Sequence, residues 1–221
     1  MLLLRPAGVY RPQADTGLLL EALARDHLPP GARVLDLCTG TGLVALVAAR
    51  GAVSQVTAVD MSRRAVLAAR FNALVRGLRV RVIRGDLFAP LQGESFDVIL
   101  ANPPYVAGPA RNTALAWDAG IDGRRVLDPI CVQAPAYLSP GGTLLIVQSA
   151  LSGVAASLRQ LRTAGLDARV VTRRWEPFGP VMRDRASWLE ARGLIRPGQR
   201  HEELVVIRAR RRDAVAGRRA A

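Results

Sequence analysis

The tetrapeptide Asn102-Pro103-Pro104-Tyr105 is the stretch of this sequence whose residue types are best suited to chemistry. It follows an apolar run, residues 98–101, that is typical of a buried β-strand. Proline cannot donate a hydrogen bond to a sheet and moves the residue before it away from the helical region, so the strand must end here. A polar amide at the carboxyl end of a buried strand lies where open α/β sheets bind ligands. The sequence therefore predicts a rigid loop that presents Asn102 to a ligand.

A glycine turn, Cys38-Thr39-Gly40-Thr41-Gly42, is the second candidate site. It lies between a predicted strand at 32–37 and a predicted helix at 43–50. Glycine lets the backbone turn sharply and approach a ligand closely, and the first turn of a helix offers free N–H groups. A Gly-x-Gly pattern alone is a weak signal. With a strand before it and a helix after it, the turn indicates a nucleotide-binding unit.

Acidic residues follow two later strands. Asp60 ends a predicted strand about 20 residues after the glycine turn, where a ribose-binding carboxylate is expected. Asp86 follows a predicted strand at 78–83, and a fourth strand at 96–100 leads to Asn102. Because single helices separate these strands, we expect right-handed crossovers and a parallel sheet.

The remaining pattern completes an alternating arrangement of helices and strands. It predicts helices at 18–27, 63–75, 124–138 and 154–164, and strands at 143–148, 167–172 and 203–208. Asp15 or Thr16 is a suitable N-cap for the first helix. The loop 106–123 is long for a strand-to-helix connection, which is typical of a functional lid. Residues 173–200 are rich in Arg, Pro and Gly and are predicted to be irregular, with Trp188-Leu189 as a candidate short helix packed on the domain.

Length and composition indicate one globular domain. The chain has 221 residues, half of them hydrophobic, which is enough for a substantial core. We predict a single domain at 1–210, with 1–30 as a head segment and first helix, and a basic disordered tail at 211–221. No apolar run approaches the roughly 20 residues of a membrane span, and the first residues do not form a signal peptide. We therefore expect a cytoplasmic protein with no membrane partner.

The net charge of +13 by itself favours an anionic partner such as nucleic acid. All 31 basic residues are arginine, however, which is typical of codon bias in a GC-rich genome, and several of them lie in the tail. Nucleic acid is therefore the less favoured partner.

The cysteines and histidines do not suggest a metal centre. Cys38 and Cys131 are too few and too far apart for a disulfide scaffold or a zinc site. His27 and His201 add no familiar ligand spacing. We expect no bound metal.

Four motifs in order resemble those of class I S-adenosylmethionine (SAM) methyltransferases: Asp36-Leu-Cys-Thr-Gly40-Thr-Gly42, Val59-Asp60-Met61-Ser62, Gly85-Asp86-Leu87 and Asn102-Pro103-Pro104-Tyr105. The last motif, followed by Asp122-Gly123, is similar to that of HemK/PrmC-type protein-(glutamine-N5) methyltransferases. The head segment, residues 8–16, resembles the short branch that includes the eukaryotic and archaeal release-factor methyltransferases. The resemblance covers roughly residues 8–150. It implies an α/β, Rossmann-like fold: a mostly parallel seven-stranded sheet with an antiparallel last strand and helices on both faces.

The resemblance also implies how the cofactor SAM, and its product S-adenosylhomocysteine (SAH), would be bound. The acid before the glycine turn and the turn itself receive the amino-acid end of SAM, a role that falls on Asp36, Cys38, Thr39, Gly40 and Gly42. The nucleoside end falls on residues after the second and third strands. Asp60 is implied to bind the ribose hydroxyls, Met61 to pack on the adenine, Asp86 to accept the adenine amino group and Leu87 to donate its N–H to the ring.

For the substrate, the resemblance implies an amide nitrogen held by the Asn102 side-chain oxygen and the Pro103 carbonyl. Such a nitrogen is a poor nucleophile, so the site works by positioning and electrostatics rather than by a strong base. Pro104 and Tyr105 are implied to wall the substrate side chain. Thr16 and Asn102 are implied to contact the cofactor as well, and Thr16 is either part of a lid over the site or a plain helix cap.

The expected substrate is a glutamine in a protein, such as the Gly-Gly-Gln loop of a peptide chain release factor. About 30 residues precede the first strand, too few for the helical N-terminal domain of full-length HemK proteins. Substrate recognition is therefore expected in the head segment, in 106–123, in 173–200 or in a partner. Related short enzymes use a small activator subunit, which the sequence leaves open here.

Three other interpretations remain. The same tetrapeptide serves methyltransferases that act on the exocyclic amines of adenine or guanine in DNA or RNA. The glycine turn and Asp60 also fit a dinucleotide-dependent oxidoreductase, although Asp36 and the tetrapeptide argue against it. A non-enzymatic SAM-fold module is disfavoured by the intact Asn102.

Overall fold

A seven-stranded sheet organises the described chain, which in this computed structural model comprises residues 2–26, 28–109 and 119–212. Its strands are β1 (Arg33–Leu37), β2 (Gln55–Asp60), β3 (Arg81–Arg84), β4 (Phe96–Ala101), β5 (Leu138–Ser149), β6 (Leu166–Pro177) and β7 (His201–Arg211), in the spatial order β3-β2-β1-β4-β5-β7-β6. Only β7 among them runs antiparallel to its neighbours β5 and β6. The predicted mostly parallel sheet with an antiparallel last strand is confirmed.

Helices pack on both faces of this sheet. They are α1 (Ala14–Asp26), α2 (Leu43–Ala48), α3 (Arg63–Leu74), α4 (Leu127–Tyr137), α5 (Val154–Thr163) and α6 (Pro180–Ala191). Alternate strand residues divide between the two faces, so that Val34 packs with α1, α2 and α3, whereas Leu35 packs with α4 and α5. Burial on both faces explains why the apolar residues Val34 and Leu35 stand next to each other in β1 instead of alternating with polar ones, as is usual in parallel sheets. None of the helices described is long and apolar enough to cross a membrane.

Helix α1 begins earlier than predicted. Its first residue is Ala14, so Asp15 and Thr16 lie within the first turn instead of capping it from outside. Both side chains are buried, and an acidic side chain is favoured near the positive end of a helix. The predicted last residue, His27, lies outside the described residues.

The interpretation of residues 173–200 as irregular is wrong for 173–177 and 180–191, whereas the helix suggested at Trp188-Leu189 is confirmed as the end of a longer one. Strand β6 continues to Pro177, and α6 follows directly, with Pro180 at its start. Proline is favoured at the first helical position because its missing N–H would be unpaired there anyway, so Gly179-Pro180 marks a helix start and not only a break. Met182, Ala186 and Leu189 recur at helical spacing and are buried.

Smaller differences concern element ends. Strand β3 is shorter than predicted, and β5 begins at Leu138, within the predicted end of the preceding helix. Strand β7 reaches Arg211, one residue into the predicted tail. Residues 110–118 of the predicted lid and the tail from 213 lie outside the described residues.

Candidate active site

A cavity of about 1540 Å³ opens at the carboxyl ends of the parallel strands. The segments that follow β1, β2, β3 and β4 line one part of it, and the head segment, the ends of β6 and β7 and the start of α6 line the rest. Ten predicted site residues line this cavity: Cys38, Gly40, Asp60, Met61, Asp86, Leu87, Asn102, Pro103, Pro104 and Tyr105. Thus four loops that are far apart in sequence contribute to one site.

Four predicted site residues do not line the cavity: Thr16, Asp36, Thr39 and Gly42. Asp36 is only 1% exposed, and its Oδ2 accepts hydrogen bonds from the Thr39 hydroxyl at 2.5 Å and from the Ala45 N–H at 3.1 Å. The carboxylate therefore ties the glycine turn to the first turn of α2. Its position suits a supporting role better than direct contact with a ligand.

The glycine turn has committed its backbone donors within the protein. The Thr39 N–H donates to the Val59 carbonyl at 3.1 Å, the Gly40 N–H to Asp60 Oδ2 at 2.9 Å and the Gly42 N–H to the Thr39 carbonyl at 2.9 Å. These are the groups expected to receive the amino-acid end of a cofactor. The structure instead uses the first two to fasten the turn to the end of β2 and the third to close the turn on itself, which presets its shape.

Gly42 is required for packing. Its φ is +85°, and a Cβ there would lie 3.0 Å from the Ala69 Cβ and 3.1 Å from the Ala69 Cα. We expect Gly42→Ala to lower the free energy of unfolding by about 2–4 kcal/mol, because left-handed backbone strain adds to crowding between α2 and α3. Urea unfolding measures this loss. The matched control is Gly40→Ala, which has φ +56° but open space around its Cβ, and should lose only about 1 kcal/mol. Equal losses would contradict the packing argument.

Asp60 is the best-placed polar group on the cofactor side of the cavity. Its Oδ2 accepts the Gly40 N–H and its Oδ1 accepts the Ser62 N–H at 2.8 Å. Burial raises the pKa of this carboxyl, although both hydrogen bonds oppose the shift. Each carboxylate oxygen has a further lone pair, so the group can still accept two hydroxyl hydrogens from a ligand. This capacity to accept two further hydrogen bonds fits a ribose diol.

Backbone strain in the described chain is concentrated at this cavity. Cys38 and Leu87 are the non-glycine residues with positive φ, at 56° and 44°, and both line it. Strained backbone of this kind persists where the surrounding structure enforces it, commonly at functional sites.

The side-chain amide of Asn102 has a defined orientation. Its Nδ2 donates to Thr16 Oγ1 at 3.0 Å, and the Thr16 hydroxyl donates to Asp15 Oδ1 at 3.1 Å. Because the Thr16 hydrogen is committed to a carboxylate, the Thr16 oxygen can only accept, so the NH₂ end of Asn102 must face it. Oδ1 is left as the atom that Asn102 offers to a ligand. Thr16 therefore positions Asn102. This role differs from both alternatives considered for Thr16, a lid over the site and a plain helix cap.

Asp15 is a functional residue that sequence reasoning missed. Its Oδ2 accepts hydrogen bonds from the Tyr105 hydroxyl at 2.9 Å and from the Tyr10 hydroxyl at 2.7 Å. Burial, reinforced by the Asp15 charge, raises the pKa of both phenols well above the usual value, so both remain donors. The sequence shows Asp15 only as a helix-capping type, and nothing in it pairs this residue with Tyr105, 90 positions away.

The loop after the tetrapeptide is held from two sides. Arg185 of α6 donates from Nη1 to the carbonyls of Val106 and Ala107 at 2.9 and 3.1 Å. On the other side, Gly123 packs so closely that a Cβ would overlap the Tyr105 carbonyl oxygen. The segment predicted to be irregular thus helps to shape the site.

Comparison with known proteins identifies the family. Residues 3–164 match the model of the methyltransferase small domain. The chain belongs to this methyltransferase family.

A protein of Methanocaldococcus jannaschii named "putative protein N5-glutamine methyltransferase" is 33% identical over 179 residues, which cover 79% of this chain and 89% of the relative. The release factor glutamine methyltransferase of Deinococcus radiodurans is 41% identical over 177 residues, covering 74% of this chain and 62% of the relative. The predicted resemblance is confirmed. The aligned part of this chain spans less than two thirds of the length of the Deinococcus protein.

Among solved structures, a chain of the E. cuniculi Mtq2-Trm112 complex superposes with a TM-score of 0.66. The two chains are 24% identical, and the alignment covers 92% of the methyltransferase and 99% of that chain. At this identity the likeness establishes the class I fold, in agreement with the strand order described above.

Two buried carboxyl groups should make the stability of the methyltransferase depend on pH. Burial raises the pKa of Asp36 and of Glu202, the second residue of β7, to about 7. Between about pH 4 and 7 the folded state holds protons that the unfolded state has lost, so stability falls as pH rises, by about 1.4 kcal/mol per pH unit for each group. Urea unfolding at pH 5, 6, 7 and 8 measures the slope. Glu202→Gln should show a shallower slope than the wild type, and an unchanged slope would contradict the assignment.

Proposed function

We propose that this methyltransferase transfers a methyl group from SAM to the side-chain amide nitrogen of a glutamine in a protein substrate. The observation that carries the proposal is the orientation of the Asn102 amide, whose NH₂ group is bound to Thr16 and whose oxygen is offered to the cavity. A site that offers an acceptor selects a substrate that brings N–H hydrogens. A primary carboxamide has two of them, and the Pro103 carbonyl follows directly as a second acceptor.

The chemistry follows from the weakness of an amide nitrogen as a nucleophile. Its lone pair is delocalised into the carbonyl group, and removal of a proton beforehand is too costly near neutral pH. Asn102 Oδ1 and the Pro103 carbonyl would accept both N–H hydrogens, which orients the lone pair and stabilises the positive charge that develops on nitrogen. SAM, when bound, would supply the electrophilic methyl group and leave as SAH, and the positively charged methylated nitrogen would then release one N–H proton to water. Tyr105, fixed by Asp15, would hold the glutamine side chain from one side.

The residues on the other side of the cavity fit SAM. Asp60 retains the acceptor capacity that a ribose diol requires. Met61 is 46% exposed and lines the cavity, as do Asp86 and Leu87, which fits an adenine subsite. Asp36 would support the glycine turn from behind.

A peptide chain release factor is the proposed protein substrate. The Deinococcus relative is named for glutamine methylation of release factors, and the E. cuniculi complex is described as responsible for methylation of the termination factor eRF1. The latter contains two proteins, and on this basis we propose that a small partner subunit, which the sequence left open, activates this methyltransferase as well.

The test is incubation of the protein with SAM and a release factor, with and without a Trm112-type subunit, followed by mass spectrometry of the Gly-Gly-Gln loop. One added methyl group on the glutamine is the expected result. A parallel arm offers DNA and ribosomal RNA with labelled SAM at several salt concentrations, because binding to nucleic acid weakens steeply with salt. Label in nucleic acid with none on the release factor would overturn the proposal in favour of a base methyltransferase.

A further inference from the structure

The cavity has two chemically different halves, divided by the end of β4. On one side the sheet continues as β1, β2 and β3, whose ends carry the glycine turn, Asp60 and Asp86. On the other side it continues as β5, β7 and β6, and the cavity is lined there by Glu202 of β7 and Glu176 of β6. The proposed cofactor residues all lie in the first half. The second half is therefore available to the methyl acceptor.

Glu202 is an unusual residue in this second half. It is only 6% exposed, yet it lines the cavity. The Ser149 hydroxyl donates a hydrogen bond to its carboxylate, whereas Oε2 has no hydrogen-bond partner among the described residues. A buried carboxylate oxygen without a donor is costly, and such groups in native proteins call for an explanation, commonly a ligand.

Glu176 adds a second carboxylate at the same place, where only Oε1 has a cation within ion-pair distance among the described residues, Arg174 Nε at 3.9 Å. It is the direct cross-strand partner of Glu202 in the β6–β7 pair, and like charges at such positions destabilise a sheet. Asp15 lies close enough for its charge to raise the pKa of Glu202. Glu203, the next residue of β7, has Trp175 as its direct cross-strand partner and forms a diagonal ion pair with Arg173 at 2.8 Å. A chain with 31 arginines thus pairs Glu203 with an arginine and leaves Glu202 Oε2 without a donor.

Aromatic side chains border this acidic group. Tyr10 and Tyr105 both line the cavity, and the charge of Glu202 contributes to the raised pKa of each phenol. A guanidinium or ammonium group interacts favourably with an aromatic face and forms short, charge-assisted hydrogen bonds with a carboxylate.

We propose that Glu202, with Glu176 beside it, forms an acidic subsite that binds a basic side chain of the protein substrate close to the glutamine that is methylated. The proposal rests on the proposed function and specifies part of its substrate. A guanidinium or ammonium group would supply the donor that Glu202 Oε2 lacks, and its charge would offset the repulsion between Glu202 and Glu176.

The test compares acceptor peptides that contain one glutamine and one arginine, with the arginine placed in turn at each flanking position. Each peptide has a counterpart with citrulline, which is nearly isosteric with arginine but neutral. At pH 8, wild-type protein is expected to favour arginine over citrulline at least about tenfold in kcat/KM at one position, through KM. Glu202→Gln should reduce that ratio to within about twofold while SAH affinity is retained. The matched control, Glu203→Gln, should keep the wild-type ratio.

Two results would overturn the subsite: no preference for arginine at any position in the wild type, or a preference that persists in Glu202→Gln. Binding of the same peptides to the SAH-loaded protein, measured by fluorescence anisotropy, separates this proposal from the function on which it rests. An arginine preference in binding that depends on Glu202, without methylation of any glutamine, would support the subsite and refute glutamine as the acceptor.

Discussion

Asn102→Ala is expected to lower kcat for glutamine methylation by about 10²–10³-fold, the usual loss when one preorganised group that stabilises developing charge is removed. The alanine variant loses the acceptor for one substrate N–H, so the lone pair is no longer oriented. Its affinity for SAH should stay within about threefold of the wild type, because the proposed cofactor residues follow other strands. Single-turnover kinetics and calorimetric titration with SAH measure the two quantities.

Thr16→Val provides the matched comparison for Asn102. It leaves the amide in place but removes the oxygen to which its NH₂ group donates, so Asn102 is free to turn. We expect a loss of about tenfold in kcat, smaller than that of Asn102→Ala. If Asn102→Ala retains kcat within about threefold of the wild type while still binding SAH, the proposed mechanism is wrong.

Asp60→Asn is expected to weaken SAH binding by about 10²–10³-fold. The charge-assisted hydrogen bonds to a ribose diol are lost, and the new NH₂ group faces the N–H of either Gly40 or Ser62, leaving a buried donor unpaired. Calorimetric titration measures the change. Asp167→Asn, at an exposed position of β6, removes the same charge from the chain and should leave SAH affinity unchanged.

The Asp60 prediction separates a ribose contact from a general charge effect. Because the chain carries a net charge of +13, loss of any acid slightly changes its attraction for ligands. Equal weakening by Asp60→Asn and Asp167→Asn would show that Asp60 has no direct contact. Loss of binding with retained kcat at saturating SAM would place Asp60 in cofactor binding alone.

Much of the fold could be predicted because its signals are local. The run 33–37, the turn to Gly42 and the following helix are each recognisable from a few adjacent residues, and the same holds for β2 with Asp60 and for β4 with Asn102. Alternation of such units allows few topologies, so the parallel sheet followed directly. The prediction for residues 173–200 was wrong where Arg, Pro and Gly suggested a loop. Pro180 instead begins a helix that packs against residues distant in sequence.

The sequence by itself determined which residue types stand at the ends of the strands, and hence a methyltransferase fold with a rigid polar loop after β4. Only the tertiary structure decided which atoms face the ligand. Asp36 belongs to a cofactor motif, but its carboxylate is directed to Thr39 and Ala45. Asp15 and Glu202 belong to no motif, yet one fixes Tyr105 and Asn102 and the other supplies an unpaired buried oxygen. Motifs record residues that are adjacent in the chain, whereas orientation depends on hydrogen bonds between residues that only folding brings together.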